Sequence, residues 1–272
     1  FYTLQTEHGS AMTLFEGMLA LDNFALYFKV FLLVAGILVL LGSLHSEELA
    51  NVHKGEFYVL LLAVTLGMLL MANSVHLTML YLSLELVSLT SYIMVGYLRS
   101  DRLSNEASMK YILFGAVSTG AMLYGFSLLY GMTGSLDLFA IRDALLAQEM
   151  VGFNQVTLVL VVVLTTAGFG FKTASVPFHF WCPDVYTGAP TPVTAFLSVA
   201  PKAAGFAILV RFFLGGLSQP SGVEWGVISG IDWPLVLIVI SVLTMTLGNI
   251  AALTQNNLKR MLAYSSIAHA GY

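Results

Sequence analysis

Residues 171–192 read FKTASVPFHFWCPDVYTGAPTP. In an otherwise apolar chain, this stretch gathers Lys172, His179, Asp184 and four prolines. Pro177 and Pro183 lack the amide hydrogen that a helix interior uses, so they interrupt a helix running through them. Backbone broken at membrane depth persists only where protein encloses it or where it borders a wet cavity. Interrupted helices of this kind are typical of transporter ion sites. The stretch therefore reads as a charged helix break from Lys172 to Pro177, followed by a turn from Pro183 to Pro192.

The rest of the chain supplies the lipid setting. Of its 272 residues 58% are hydrophobic and 10% charged, with mean hydropathy +0.85. Soluble domains carry about 25% charged residues. About 20 apolar residues are needed to cross a bilayer as a helix. Seven stretches qualify, roughly 24–43, 56–73, 75–98, 110–132, 155–181, 190–213 and 235–254, and an eighth starts near 261. Small residues recur inside them, as in FGAVSTGAMLYG (114–125), which suits close helix packing in lipid. The alternating pattern of a membrane β-barrel is missing from the sequence. The expected fold is all-α, a polytopic transmembrane bundle of about seven to eight spans. The chain opens at Phe1 without methionine and closes in SSIAHAGY as another apolar segment begins, so a piece of a longer membrane protein is expected.

Loop charges set the expected topology. Lys54, Arg99, Arg102, Lys110, Lys259 and Arg260 fall on one side, with only Arg142 and Arg211 on the other. The positive-inside rule then places the loop RSDRLSNEASMK (99–110) in the cytoplasm. The stretch SLDLFAIRDALLAQEM (135–150) fits a short amphipathic helix at the interface. The lone Cys182 excludes an internal disulfide and a cysteine-ligated cluster built by this chain. The six histidines form no HxxxH or HExxH pair, and a net charge of −4 suggests no nucleic-acid partner. No metal or cofactor site is expected in this chain, and the lipid bilayer is its first partner.

Three charges fall inside the apolar stretches: Glu85 in LYLSLELVSLTSY, Lys172, and Lys202 in FLSVAPKAAGFA. Insertion of an acid or base at a helix centre costs about 2.5–3.5 kcal/mol each. Such residues are retained when they face a polar interior and do chemistry. An apolar bundle disfavours the charged form of a lysine, and an acid beside it restores that form. Moving or protonating the acid then switches the lysine between holding and releasing a proton. A purely structural reading, a buried Glu85–Lys172 pair, gains little over apolar packing. Lys110 lies at the mouth of its segment, where a lysine can also snorkel to the interface. Phe178, Phe180 and Trp181 are more simply packing than a quinone pocket.

These residues, in this order, resemble the antiporter-like, proton-translocating subunits of respiratory complex I, which are related to multisubunit sodium/proton antiporters. The likeness is carried by GFKTASVPFHFWCPDVYTGAPTPVTAFLSVAPKAAGF (170–206), LYLSLELVSLTSYIMVGY (80–97), EASMKYILFGAVSTGAMLYGFSLLYGMTGSLD (106–137) and NNLKRMLAYSSIAHAGY (256–272). The resemblance implies proton-translocation roles for Glu85, Lys172, Lys202 and Lys110, with Pro177 at the helix break. His179 and His269 are further candidates for the proton path. It also implies one five-helix antiporter-like unit over 56–213, preceded by an amino-terminal region (1–55) with one span. A second, inverted unit would begin over 235–272. The chain's partners would be other membrane subunits of complex I, and NADH, FMN, iron–sulfur clusters and quinone would belong to the complex's other subunits. The setting implied is a bacterial plasma membrane or an organelle inner membrane. A sodium/proton antiporter subunit is the alternative transporter reading. A seven-helix receptor or scaffold would leave the three buried charges without a purpose.

Overall fold

The computed structural model describes residues 12–50, 52–147, 152–221, 224–228 and 232–272. Two short antiparallel hairpins, β1 (Met12–Leu14) with β2 (Leu19–Leu21) and β3 (Ser218–Ser221) with β4 (Glu224–Val227), flank a helical body. The helices are α1 (Asn23–Leu44), α2 (Lys54–Asn73), α3 (Leu77–Val95), α4 (Arg102–Thr133), α5 (Leu138–Leu146), α6 (Phe153–Thr173), α7 (Cys182–Gly188), α8 (Thr191–Val210), α9 (Trp233–Leu253) and α10 (Leu258–Gly271). A π-helical turn, Arg211–Gly216, extends α8. Among the described residues, seven helices are long and apolar enough to cross a membrane: α1, α2, α3, α4, α6, α8 with its π turn, and α9. The all-α bundle read from the sequence is thus the observed fold, with α10 beginning the eighth segment.

Local sequence explains where the helices start. Asp22, Asp101, Asp137, Asp232 and Asn257 each accept a backbone N–H of the first turn behind them, opening α1, α4, α5, α9 and α10. An N-cap side chain of this type satisfies donors that no helical carbonyl reaches. Within the spans, hydroxyls turn back onto their own helix, as Thr65 does to the Leu61 carbonyl and Ser91 to that of Val87. That keeps polar groups paired in an apolar medium. The amphipathic helix expected over 135–150 is α5, capped by Asp137; residues 148–150 of that stretch lie outside the described residues, as do residues 1–11 of the expected amino-terminal region.

Two boundaries differ from the hydropathy reading by eight residues. The expected segment 155–181 ends at Thr173, and the chain turns before a separate helix, α7, begins at Cys182. Pro183 does not break a ladder. It occupies the first turn of α7, where a missing N–H has no cost. The expected segment 110–132 begins eight residues early at Arg102, because Asp101 caps it there.

The bundle is organised around α6, 72% of whose apolar window is buried, against 17% for α1 and 11% for α9. The outer helices present Leu26, Val34 and Leu38, or Ile238, Val242 and Ile250, to the surroundings. An apolar exterior of this kind is what a bilayer requires. Close approach is set by small residues. A Cβ on Gly168 would lie 2.6 Å from Met122 of α4, and one on Gly248 of α9 would lie 2.6 Å from the Ala268 nitrogen of α10. Only glycine permits those two helix contacts.

Candidate functional site

The helix break is built from α6, a turn and α7. Lys172 lies in the last turn of α6, and Ala174 then adopts a left-handed conformation with φ 59° that ends the helix. The Val176–Pro177 peptide is cis. Several of the freed backbone groups find partners. The Phe171 carbonyl accepts from the Ala174 amide and from the Trp181 indole, both at 3.1 Å. Ser175 N–H donates to the Gly170 carbonyl at 2.8 Å, and Phe178 N–H to that of Ser175 at 2.7 Å. Thr173 Oγ1 donates to the Phe169 carbonyl and lies 2.8 Å from Ser175 Oγ. Val176 N–H is satisfied from outside the break, by Thr244 Oγ1 of α9 at 3.0 Å. Ala174, Ser175 and Val176 of this segment are buried, the condition that irregular backbone must meet at membrane depth.

Lys172 is 1% exposed, and its Nζ donates to Ser88 Oγ of α3 at 3.1 Å. Glu85 precedes Ser88 by three residues on the same helix, a spacing that puts both side chains on one face. The expected Glu85–Lys172 pair is thus not a direct ion pair within 4.0 Å: Ser88 holds the ammonium, and Glu85 Oε1 is buried without a hydrogen-bond partner. The stem of Lys172 packs on α8, where a Cβ at Gly205 would meet its Cγ at 3.2 Å.

Lys202 lies on α8, three residues before Gly205, and is also buried. Its Nζ donates to the Ser266 hydroxyl at 2.7 Å and to the Ser266 carbonyl at 3.0 Å, on α10. The preceding residue, Pro201, removes the amide that would bond the Leu197 carbonyl. Tyr186 of α7 fills that vacancy, donating its hydroxyl to Leu197 O at 2.9 Å. The bond brings its ring to 5.8 Å from Lys202 Nζ, within cation–π range. A cavity of about 670 Å³ between α8 and α10 is lined by Lys202, Tyr186, Ser266, Lys259 and His269. Lys202 and His269, separate in the sequence reading, share this space.

At the end of the bundle where α4 begins, Lys110 Nζ sits 2.8 Å from Glu106 and 2.6 Å from Asp184. Asp184 also binds Arg260 of α10 at 2.5 Å. Lys110 is therefore one member of an ion-pair cluster, not a lone snorkelling lysine. Burial alone would push the Asp184 carboxyl up, but hydrogen bonds and charge from Lys110 and Arg260 outweigh it and hold it below the usual carboxylate range. Nearby, Lys259 donates to the Ala189 carbonyl at 3.2 Å and faces Glu48 at 3.8 Å, while Glu48 caps the start of α8 through Thr191.

His179 lies in the turn between α6 and α7, its ring 4.5 Å from Phe180 and its Nδ1 enclosed without a well-aligned partner. Phe178, Phe180 and Trp181 do not form one pocket. Trp181 stacks on Tyr111 at 4.3 Å, Phe178 packs at Gly170, and Phe180 is 62% exposed. Among the described residues, no group of three or more His, Cys, Asp or Glu side chains is placed to hold a metal ion.

A family model described as "NADH:quinone oxidoreductase/Mrp antiporter, TM" matches residues 74–272, from just before α3 through the break, Lys202 and α10. The chain belongs to this family. Its relatives include NADH-quinone oxidoreductase subunit N of Anaeromyxobacter sp. (strain Fw109-5), 50% identical over 96% of this chain and 52% of that protein. Subunit N 2 of Chloroherpeton thalassium is 51% identical over 95% of this chain and 50% of that protein. The chain spans about half the length of the curated relatives it matches. Among solved structures, respiratory complex I from Thermus thermophilus matches all of this chain and 54% of its own, with TM-score 0.76 and 35% identity. The membrane-bound sulfane sulfur reductase, an archaeal respiratory membrane complex, matches 97% of this chain with TM-score 0.79 and 25% identity.

Within this antiporter-family fold, the sequence pointed to both buried lysines but not to their partners. Ser88, Tyr186 and Ser266 carried no signal of their own. Asp184, within the turn read from Pro183 to Pro192, is the hub of the charged end. Arg211, read as a loop charge, is buried. It binds Asp22 through both terminal nitrogens, at 2.8 and 3.0 Å, and donates from Nε to the Ala72 carbonyl at 2.7 Å.

Proposed function

We propose that this chain is part of a membrane-arm subunit of an NADH:quinone oxidoreductase and moves protons through its buried lysines. The single observation behind this reading is Lys172, charged by nature, enclosed at a helix break and facing a serine one turn from Glu85, a half-buried glutamate with one carboxylate oxygen enclosed. The curated relatives named as NADH-quinone oxidoreductase subunits favour it over a stand-alone sodium/proton antiporter.

In this mechanism Lys172 Nζ holds a proton while Glu85 stays ionised one turn from Ser88. Drawing the Glu85 charge away, or protonating it, removes the support that keeps the ammonium charged. The proton then leaves Nζ for water and passes toward Lys202, whose Nζ is poised by Ser266 beside a cavity large enough for ordered water. His269, on the same cavity, is the next acceptor. The Lys110–Asp184–Arg260 cluster is the mouth by which protons reach the break, with His179 beside the route. The cluster end, including the 99–110 loop, faces the cytoplasm, as its concentration of lysine and arginine favours. The helices from 56 to 213 form one antiporter-like unit, and α9 and α10 open a second.

NADH, FMN, iron–sulfur clusters and quinone belong to partner subunits, which supply the redox energy. The reading is tested in vesicles holding the assembled complex and energised with NADH. Lumen acidification independent of sodium, and reduced by Lys202→Met, is expected; transport that requires sodium would instead support the antiporter alternative.

A further inference from the structure

The break that carries Lys172 is fastened to the next unit at one point. Among the hydrogen bonds described for residues 170–182, the bond from Val176 N–H to Thr244 Oγ1 is the one in which a backbone group reaches another span. Thr244 is fully buried, and its own hydroxyl donates to the Ile240 carbonyl at 2.6 Å. With its proton committed along α9, the hydroxyl offers its lone pairs to Val176. Val176 is buried, where leaving its N–H unpaired would be costly. The position matters because Val176 is four residues beyond Lys172, on the turn that sets where α6 ends.

The same helical hairpin holds the second lysine. α9 and α10 pack without a gap at Gly248 and Ala268, and Ser241 of α9 bonds the Gly271 carbonyl of α10. Ser266 of α10 is the partner of Lys202. One closely packed pair of helices therefore touches the Lys172 turn through Thr244 and the Lys202 ammonium through Ser266.

We infer that Thr244 is a positioning residue for proton transfer: its hydroxyl fixes the Val176 peptide, and through it the placement of Lys172 against Ser88, so that movement of the α9–α10 hairpin acts on both lysines together. This rests on the reading of Lys172 as a proton carrier. The test uses the assembled complex in vesicles and measures protons pumped per NADH oxidised for Thr244→Val, Thr244→Ser and Lys172→Ala. Valine keeps the shape and removes the acceptor; serine keeps the acceptor and removes the methyl group. Expected is normal assembly, a several-fold lower proton yield for Thr244→Val, and a yield near wild type for Thr244→Ser. The inference is overturned if Thr244→Val pumps like wild type while Lys172→Ala does not. It is equally overturned if the serine and valine variants fall together, or if Thr244→Val only lowers the amount of complex without changing the yield of what assembles. Normal pumping by Lys172→Ala would remove the proton-carrier reading itself.

Discussion

Lys172 on α6 donates a hydrogen bond to Ser88 on α3 at 3.1 Å, and Glu85 lies one turn back on the same helix as Ser88. The serine thus makes the contact that an acid–lysine pair would make directly. Its hydroxyl can accept from the charged lysine and, after a rotation, donate to the neutral one.

Removing that hydroxyl tests its part. A hydrogen bond to a charged group contributes about 1.5–3 kcal/mol, so Ser88→Ala should loosen the hold on the Lys172 ammonium by that order. The expected phenotype is slowed, incomplete pumping with unchanged assembly, measured as the initial rate of lumen acidification. A wild-type rate would show that Ser88 is packing alone.

The Asp22–Arg211 pair should govern stability, not transport. Asp22 caps α1 through Ala25 N–H while both of its oxygens bind Arg211, so it ties the first helix to the end of α8. Removing one partner of a buried pair costs about 3–5 kcal/mol, whereas replacing both by apolar residues is often close to neutral. Asp22→Asn should lower the thermal unfolding midpoint of the solubilised protein clearly. The double variant Asp22→Leu with Arg211→Met should recover much of the loss. Equal loss in both would contradict the assignment.

The charged end should loosen in acid. The Asp184 carboxyl is held below its ordinary value in the folded protein, so its contribution is fully present above the unfolded value, about 4. The contribution is lost as pH falls through the lower, folded value. Stability measured from pH 6 downward should therefore fall more steeply for the wild type than for Asp184→Asn, which lacks this titration. Parallel curves would mean that Lys110 and Arg260 do not hold the carboxylate.

Much of this was legible because lipid makes simple demands. Long apolar runs had to be helices, and Lys172, Lys202 and Glu85 stood out as charges that such runs do not tolerate without use. Prolines marked the interruption of α6 but not its end, since hydropathy continues unchanged past Thr173 while Pro183 suits the first turn of a new helix. Partners were hidden for a different reason. Ser88 lies 84 residues from Lys172, Ser266 64 from Lys202, and Asp22 189 from Arg211, so no local pattern announces them. Tyr186 was indirect: only the carbonyl freed by Pro201 explains its place beside Lys202.

The central claim is that Lys172 carries a transported proton under the influence of Glu85. The most direct measurement is the number of protons pumped per NADH oxidised by the assembled complex bearing Lys172→Ala or Glu85→Gln, reconstituted in sealed vesicles. Both variants are expected to assemble, and each to lose most of its pumping. A wild-type proton yield from a fully assembled Lys172→Ala complex would contradict it.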